Sequence, residues 1–130
     1  MAGSFSDYLE DKLLKHAFTN TTYTPATTLY VGLYTAAPTD AGGGTQVSGN
    51  AYARVSVAFT VSGTTTLATN SAAVEFAAAT ASWGTIVAVG IFDASTSGNL
   101  LAWADLTTSK TIDTGDIFRI PAGDLDITLS

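Results

Sequence analysis

The sequence predicts a mainly β protein, an antiparallel β-sandwich or flattened barrel of about seven to nine strands with one N-terminal α-helix. Three observations carry this. In several short segments apolar residues recur at every second position, which puts them on one face of a pleated strand. Clusters of Gly, Pro, Asn, Asp and Ser separate those segments and supply turns. A single stretch, at residues 4–18, has helical apolar spacing together with the charge order of a helix.

That stretch, SFSDYLEDKLLKHAF, places Ser6 at an N-cap, Asp7 and Glu10 at the positive end of the helix dipole, and Lys12, Lys15 and His16 towards its negative end. Phe5, Leu9 and Leu13 follow i, i+4 spacing, so the helix is amphipathic and its apolar stripe must lie on something. Residues 19–28, TNTTYTPATT, are hostile to helix and form a linker, kept extended around Pro25. Strands occupy residues 29–130. The first, at 28–35, sets Leu29, Val31 and Leu33 on one face and Tyr30, Gly32 and Tyr34 on the other. A glycine-rich loop over 36–50 follows, with a mobile tip. Residues 51–60 alternate, with Ala53, Val55, Val57 and Phe59 inward and Tyr52, Arg54 and Ser56 outward. A polar connection with a turn at Gly63 leads to a short strand at 70–76, in which Val74 and Phe76 oppose Glu75.

The centre of the pattern is residues 83–106, WGTIVAVGIFDASTSGNLLAWADL. Two apolar runs joined by a Ser/Thr/Gly/Asn segment read as a buried antiparallel hairpin, and the unbroken apolarity of 86–92 asks for cover on both faces. Residues 107–110 then read as a polar turn, Asp113 to Asp116 as a tight turn, and Pro121 with Gly123 as a break. The segment LDITLS alternates, with Leu125, Ile127 and Leu129 inward.

The 130 residues include no cysteine and suit one domain, 1–130, of a size that buries roughly two thirds of its unfolded surface without cross-links. No run has the length and apolarity of a membrane span, and the opening residues lack the basic-then-apolar order of a signal peptide. A soluble protein with no membrane partner is expected. Only 12% of residues are charged, the net charge is −6, and the five cations are scattered. Phosphate backbones need clustered Lys and Arg, so nucleic acid is not an expected partner. A charge-poor, Thr-rich surface suits self-association or docking onto a larger assembly.

Chemistry is thinly represented. His16 is the only histidine, and no Gly-x-Ser-x-Gly accompanies it. Zinc needs several His or Cys ligands. Asp113, Asp116, Asp124 and Asp126 are close in sequence but match no calcium-loop spacing. Gly42, Gly43 and Gly44 are not followed by the Lys-Ser/Thr of a phosphate loop. Neither an enzyme, nor a metal site, nor a cofactor is expected. Trp83 and Trp103 flank the hairpin as packing residues, or alternatively as sugar-stacking platforms.

The segments DYLEDKLLKHAF, TLYVGLYTAAPTDAG, NSAAVEFAAATASWGTIVAVGIFDASTSGNLLAWADL and GDIFRIPAGDLDITLS resemble, in that order, a family of small tailed-bacteriophage virion proteins usually labelled tail fibre or minor tail protein. The most specific part is the W-G-T-I-x-x-V-G-I-F-D run followed by G-N-L-L. The resemblance implies a place in the virion and a structural role, decorating capsid or tail through protein–protein contacts, with a carbohydrate-binding module at the tail tip as the alternative. A 130-residue domain has no shaft repeats, which leaves capsid and tail both open. The expected partners are further copies of the chain, forming a homo-oligomer, and the major capsid or tail protein. The expected contact residues are Phe5, Leu9, Leu13, Trp83, Trp103, Leu125 and Ile127. The segment at 125–129 is an edge strand without a protecting lysine, which proteins commonly cover with a partner.

Overall fold

A computed structural model describes residues 3–61 and 67–128. It has one helix, α1 (Asp7–Phe18), and eleven strands: β1 (Gly3–Phe5), β2 (Leu29–Ala36), β3 (Thr45–Gln46), β4 (Val55–Val57), β5 (Phe59–Val61), β6 (Leu67–Asn70), β7 (Val74–Glu75), β8 (Gly84–Phe92), β9 (Leu100–Ile112), β10 (Arg119–Ile120) and β11 (Asp126–Thr128). Every pairing among them is antiparallel. The largest sheet runs β1-β9-β8-β2-β3, with β4 also on β2, while β11-β6-β5 and β10-β7 form two smaller sheets. The sheets are open rather than closed into a barrel. Several strands are only two or three residues long, which is why eleven replace the expected seven to nine.

The β8–β9 hairpin is central, as the apolar run 86–92 requires. Gly90 faces Trp103 on β9 and Gly32 on β2, so β8 is paired on both edges. One of its faces packs on the main core through Ile86, Val89 and Ile91. The other is covered by a second cluster in which Tyr34 and Phe92 stack at 6.3 Å with Leu100 against them. Gly32 and Gly90 make room for those rings: a Cβ on Gly32 would lie 2.8 Å from Phe92, and one on Gly90 2.9 Å from Tyr34. At the centre of the main core, Phe76 packs edge-on against Trp83 at 6.3 Å and Phe118 at 5.8 Å, and stacks with Tyr52 at 6.1 Å.

Several expectations are corrected. The helix starts at Asp7, because Gly3 to Phe5 extend and pair with Ala104 to Ala102 of β9; Phe5 therefore belongs to a strand and not to a helical stripe. Ser6 does cap, accepting from Leu9 N–H at 3.2 Å. No residue of α1 is buried: Leu9 and Leu13 are half-covered, and the helix lies lightly on β9. Residues 51–54 are irregular, since Asn50 and Ala51 have positive φ and break the alternation ahead of β4. As a result Tyr52 turns inward to the core and Ala53 outward. Arg54, expected in water, lies 3.6 Å over the Phe92 ring. The strand at 70–76 is divided between two strands, β6 ending at buried Asn70 and β7 beginning at Val74, with residues 71–73 outside both. Residues 107–110 stay extended within β9 and do not turn. The pairs Ile86–Lys110 and Ala88–Asp105 enclose four residues on β9 and one on β8, so the polar stretch is absorbed as an irregularity in the register. The 36–50 loop carries β3 and a Thr39–Gly42 bridge. The turn at Gly63 and the inward position of Leu129 lie outside the described residues.

Candidate functional site

Four of the seven expected contact residues converge. Phe5, Trp103, Leu125 and Ile127 line one groove of about 310 Å³ between β11 and the β1–β9 edge of the large sheet. Its base is buried core surface, Val89 and Ile91 of β8 with Ala102 and Ala104 of β9. Its mouth is bordered by two edge strands, β1 and β11, each paired on one side only. Asp126 is its single charged lining residue, with no cation among the lining side chains. The groove is thus apolar, faintly acidic, and flanked by two strand edges with no second partner strand among the described residues, the kind of edge that can take an added segment.

Each wall has a separate anchor. On the β1 side, Ser6 is 2% exposed and donates twice to β9: its Oγ to Leu100 O at 2.6 Å and its N–H to Leu101 O at 2.7 Å. The next N–H, of Asp7, donates to Asp40 O at 2.8 Å. Phe5 is thereby fixed at the corner where strand becomes helix. Trp103 is held by its indole Nε1, which donates to Asp40 Oδ1 at 2.9 Å.

On the β11 side the anchor is Asn70, 1% exposed. Its Oδ1 accepts from Gly123 N–H at 3.1 Å and Leu125 N–H at 2.9 Å, and its Nδ2 donates to Ala72 O at 2.9 Å and Pro121 O at 3.0 Å. One amide therefore satisfies four backbone groups and sets the direction in which Leu125 enters β11. Sequence reasoning missed Asn70. An asparagine beside a turn is ordinary, and only its burial reveals the network.

The other three expected contact residues lie elsewhere. Trp83 is 5% exposed in the core, with its Nε1 donating to Asn50 O at 2.9 Å. Leu9 and Leu13 are on α1, outside the groove lining.

Two of the groups considered for chemistry, His16 and Asp116, are occupied locally. His16 Nδ1 accepts from Tyr23 N–H at 3.1 Å, which folds the linker back on the helix. Asp116 Oδ2 accepts from Asp113 N–H at 2.9 Å and closes that turn. A different carboxylate group, Asp7, Glu10 and Asp40, comes within 4.8 Å, with two of its three members exposed. Sequence separation hid this one, since Asp40 arrives from the loop after β2. A second groove, of about 320 Å³, runs past Gln46, Tyr52, Arg54 and Ser97. There Arg54 is consumed internally: its Nη1 donates to Ala94 O at 2.9 Å and Ser97 O at 2.7 Å, and its Nη2 to Gln46 Oε1 at 3.0 Å.

No curated protein matches the chain. A family model described as podophage GP4 fiber I protein gp80 matches residues 4–128, from the strand that opens the groove to the last residue of the strand that closes it. With nearly its whole length matched, this chain belongs to the podophage GP4 fibre I protein gp80 family, a family of phage fibre proteins, and its place is the virion.

Proposed function

We propose that the protein is a non-catalytic structural subunit that decorates the particle through protein–protein contacts, and that the groove between β1 and β11 is its principal docking surface. The observation that carries this is the convergence of Phe5, Leu125 and Ile127 on one apolar groove between two strand edges that have no second partner strand among the described residues. Large aromatic and aliphatic side chains gathered in a pocket are the usual anchors of protein interfaces. An edge strand offers an incoming chain a row of backbone hydrogen bonds. The carbohydrate-binding alternative is less well supported, because stacking on sugars needs an open aromatic face. Trp83 is 5% exposed in the core, which leaves only the half-buried Trp103 of the two expected platforms.

The test is incorporation. Particles assembled with Ile127→Asp or Asp126→Lys, each checked for folding by circular dichroism, are expected to carry several-fold fewer copies than wild type. Glycan arrays are expected to stay blank with wild-type protein. Unchanged incorporation of both variants, or glycan binding abolished by Trp103→Ala in a folded protein, would overturn the proposal.

A further inference from the structure

We infer that His16 is a pH-sensitive latch: its neutral imidazole holds the linker after α1 against the helix, and protonation of the ring releases that linker. The bond that carries this runs from Tyr23 N–H to His16 Nδ1 at 3.1 Å. A ring nitrogen that accepts a hydrogen bond has no proton of its own, so the contact selects the neutral ring with its proton on Nε2. In the imidazolium both nitrogens carry protons. Nδ1–H then faces Tyr23 N–H, and an attraction between the two groups becomes a repulsion.

The bond sits where its loss changes the chain's freedom. Thr19 and Thr21 N–H both donate to Lys15 O, at 3.0 and 3.1 Å, and belong to the turn that ends the helix. Among the described residues, Tyr23 N–H makes the outermost hydrogen bond between linker and helix. With the latch closed the free tether to β2 is residues 24–28, and with the latch open it is residues 22–28. The helix itself favours the open state's charge, because His16 lies in the last turn, where the partial negative end of the helix dipole stabilises a cation. Two states therefore compete, a neutral ring bonded to the linker and a charged ring at the helix end. His16 is exposed, so a proton reaches it without unfolding.

The surrounding groups leave this choice to the imidazole. On α1, Lys12 is one turn before His16 with its Nζ 5.5 Å from the Tyr8 ring, and Lys15 pairs with Asp11 at 3.0 Å. On the linker, the Tyr23 phenol is raised above its ordinary value of 10.0 by burial first, and then by Tyr8 and by Asp93, just after β8. It stays neutral where histidine titrates. Asp93 is bonded elsewhere, accepting from Asn99 N–H at 2.7 Å and Asn99 Nδ2 at 2.9 Å. Both carboxylates are thus engaged with groups other than the imidazole. The linker is tied down where the ring is neutral, and it loosens as pH falls through the histidine range, about pH 5 to 8.

Amide hydrogen exchange followed by NMR on the intact protein, corrected for the intrinsic pH dependence of exchange, tests this. Tyr23 N–H is expected to lose protection by roughly fivefold as the imidazole titrates, the factor that an ordinary net hydrogen bond supplies. Thr19 and Thr21 N–H, bonded to a carbonyl, are expected to keep theirs. His16→Ala changes an exposed side chain and is expected to hold Tyr23 N–H at its acid-state exchange at every pH. Tyr23 protection that ignores the imidazole titration, or that survives His16→Ala, would overturn the inference. So would an acid-induced loss of protection shared equally by Thr19, Thr21 and Tyr23, since that is fraying of the helix end and not release of a latch.

Discussion

Arg54 shows how one side chain can hold a surface loop to a sheet. It sits 3.6 Å over the Phe92 ring and donates to the carbonyls of Ala94 and Ser97, which belong to the β8–β9 connection. Arg54→Met keeps the stem but removes the charge over the ring and the guanidinium donors, and is expected to cost about 2 kcal/mol in urea denaturation. Arg54→Lys is not expected to restore it, because a single ammonium cannot reach both carbonyls and Gln46 in one plane. Nearby, burial raises the phenols of Tyr34 and Tyr52 above their ordinary value of 10.0. The folded state then keeps protons that the unfolded chain releases. This contribution to stability is whole below pH 10 and is lost as pH rises through the folded values. Unfolding free energy is expected to fall in that alkaline window, and Tyr34→Phe, which preserves the ring stack, is expected to make the fall shallower.

Among the elements, the β2–β8 pair is where both faces of a strand are committed. Gly90→Ala places a methyl 2.9 Å from both Leu100 and Tyr34, so the second aromatic cluster has to open, at a cost of about 1–3 kcal/mol. A melting temperature unchanged by this substitution would show that the cluster is loose. The cover on both faces of β8 was legible in the sequence, because a short, uninterrupted apolar run such as 86–92, bounded by turn residues, fits such a strand, whereas its pairing with β2 was not. The helix was legible from Ser6 onward for a local reason, its cap and charge order. The orientation of residues 51–54 was not legible: Asn50 and Ala51 adopt left-handed backbone, and alternation carried back from β4 through such a kink puts Tyr52 and Ala53 on the wrong faces. The extended path of 107–110 was hidden because Thr, Ser and Lys mark solvent exposure, and an exposed strand and an exposed turn share that composition. Leu125 and Ile127 could be named as apolar residues of an edge strand, and Phe5 only as part of a helical stripe. That they meet across one groove depends on Ser6 and Asn70, whose long-range hydrogen bonds have no periodic signature.

At the scale of the whole molecule, a fibre-family chain of this size leaves a helix exposed and a sheet edge open, and both features make sense in an assembled particle. The central claim is that the groove between β1 and β11 is covered by protein in the virion. Hydroxyl-radical footprinting, read by mass spectrometry on the free protein and on intact particles, tests this directly. Phe5 and Ile127 are expected to be oxidised in the free protein and protected several-fold in particles, while Ile117, exposed and outside the groove lining, serves as the reference. Equal oxidation of Phe5 and Ile127 in both states would contradict the claim.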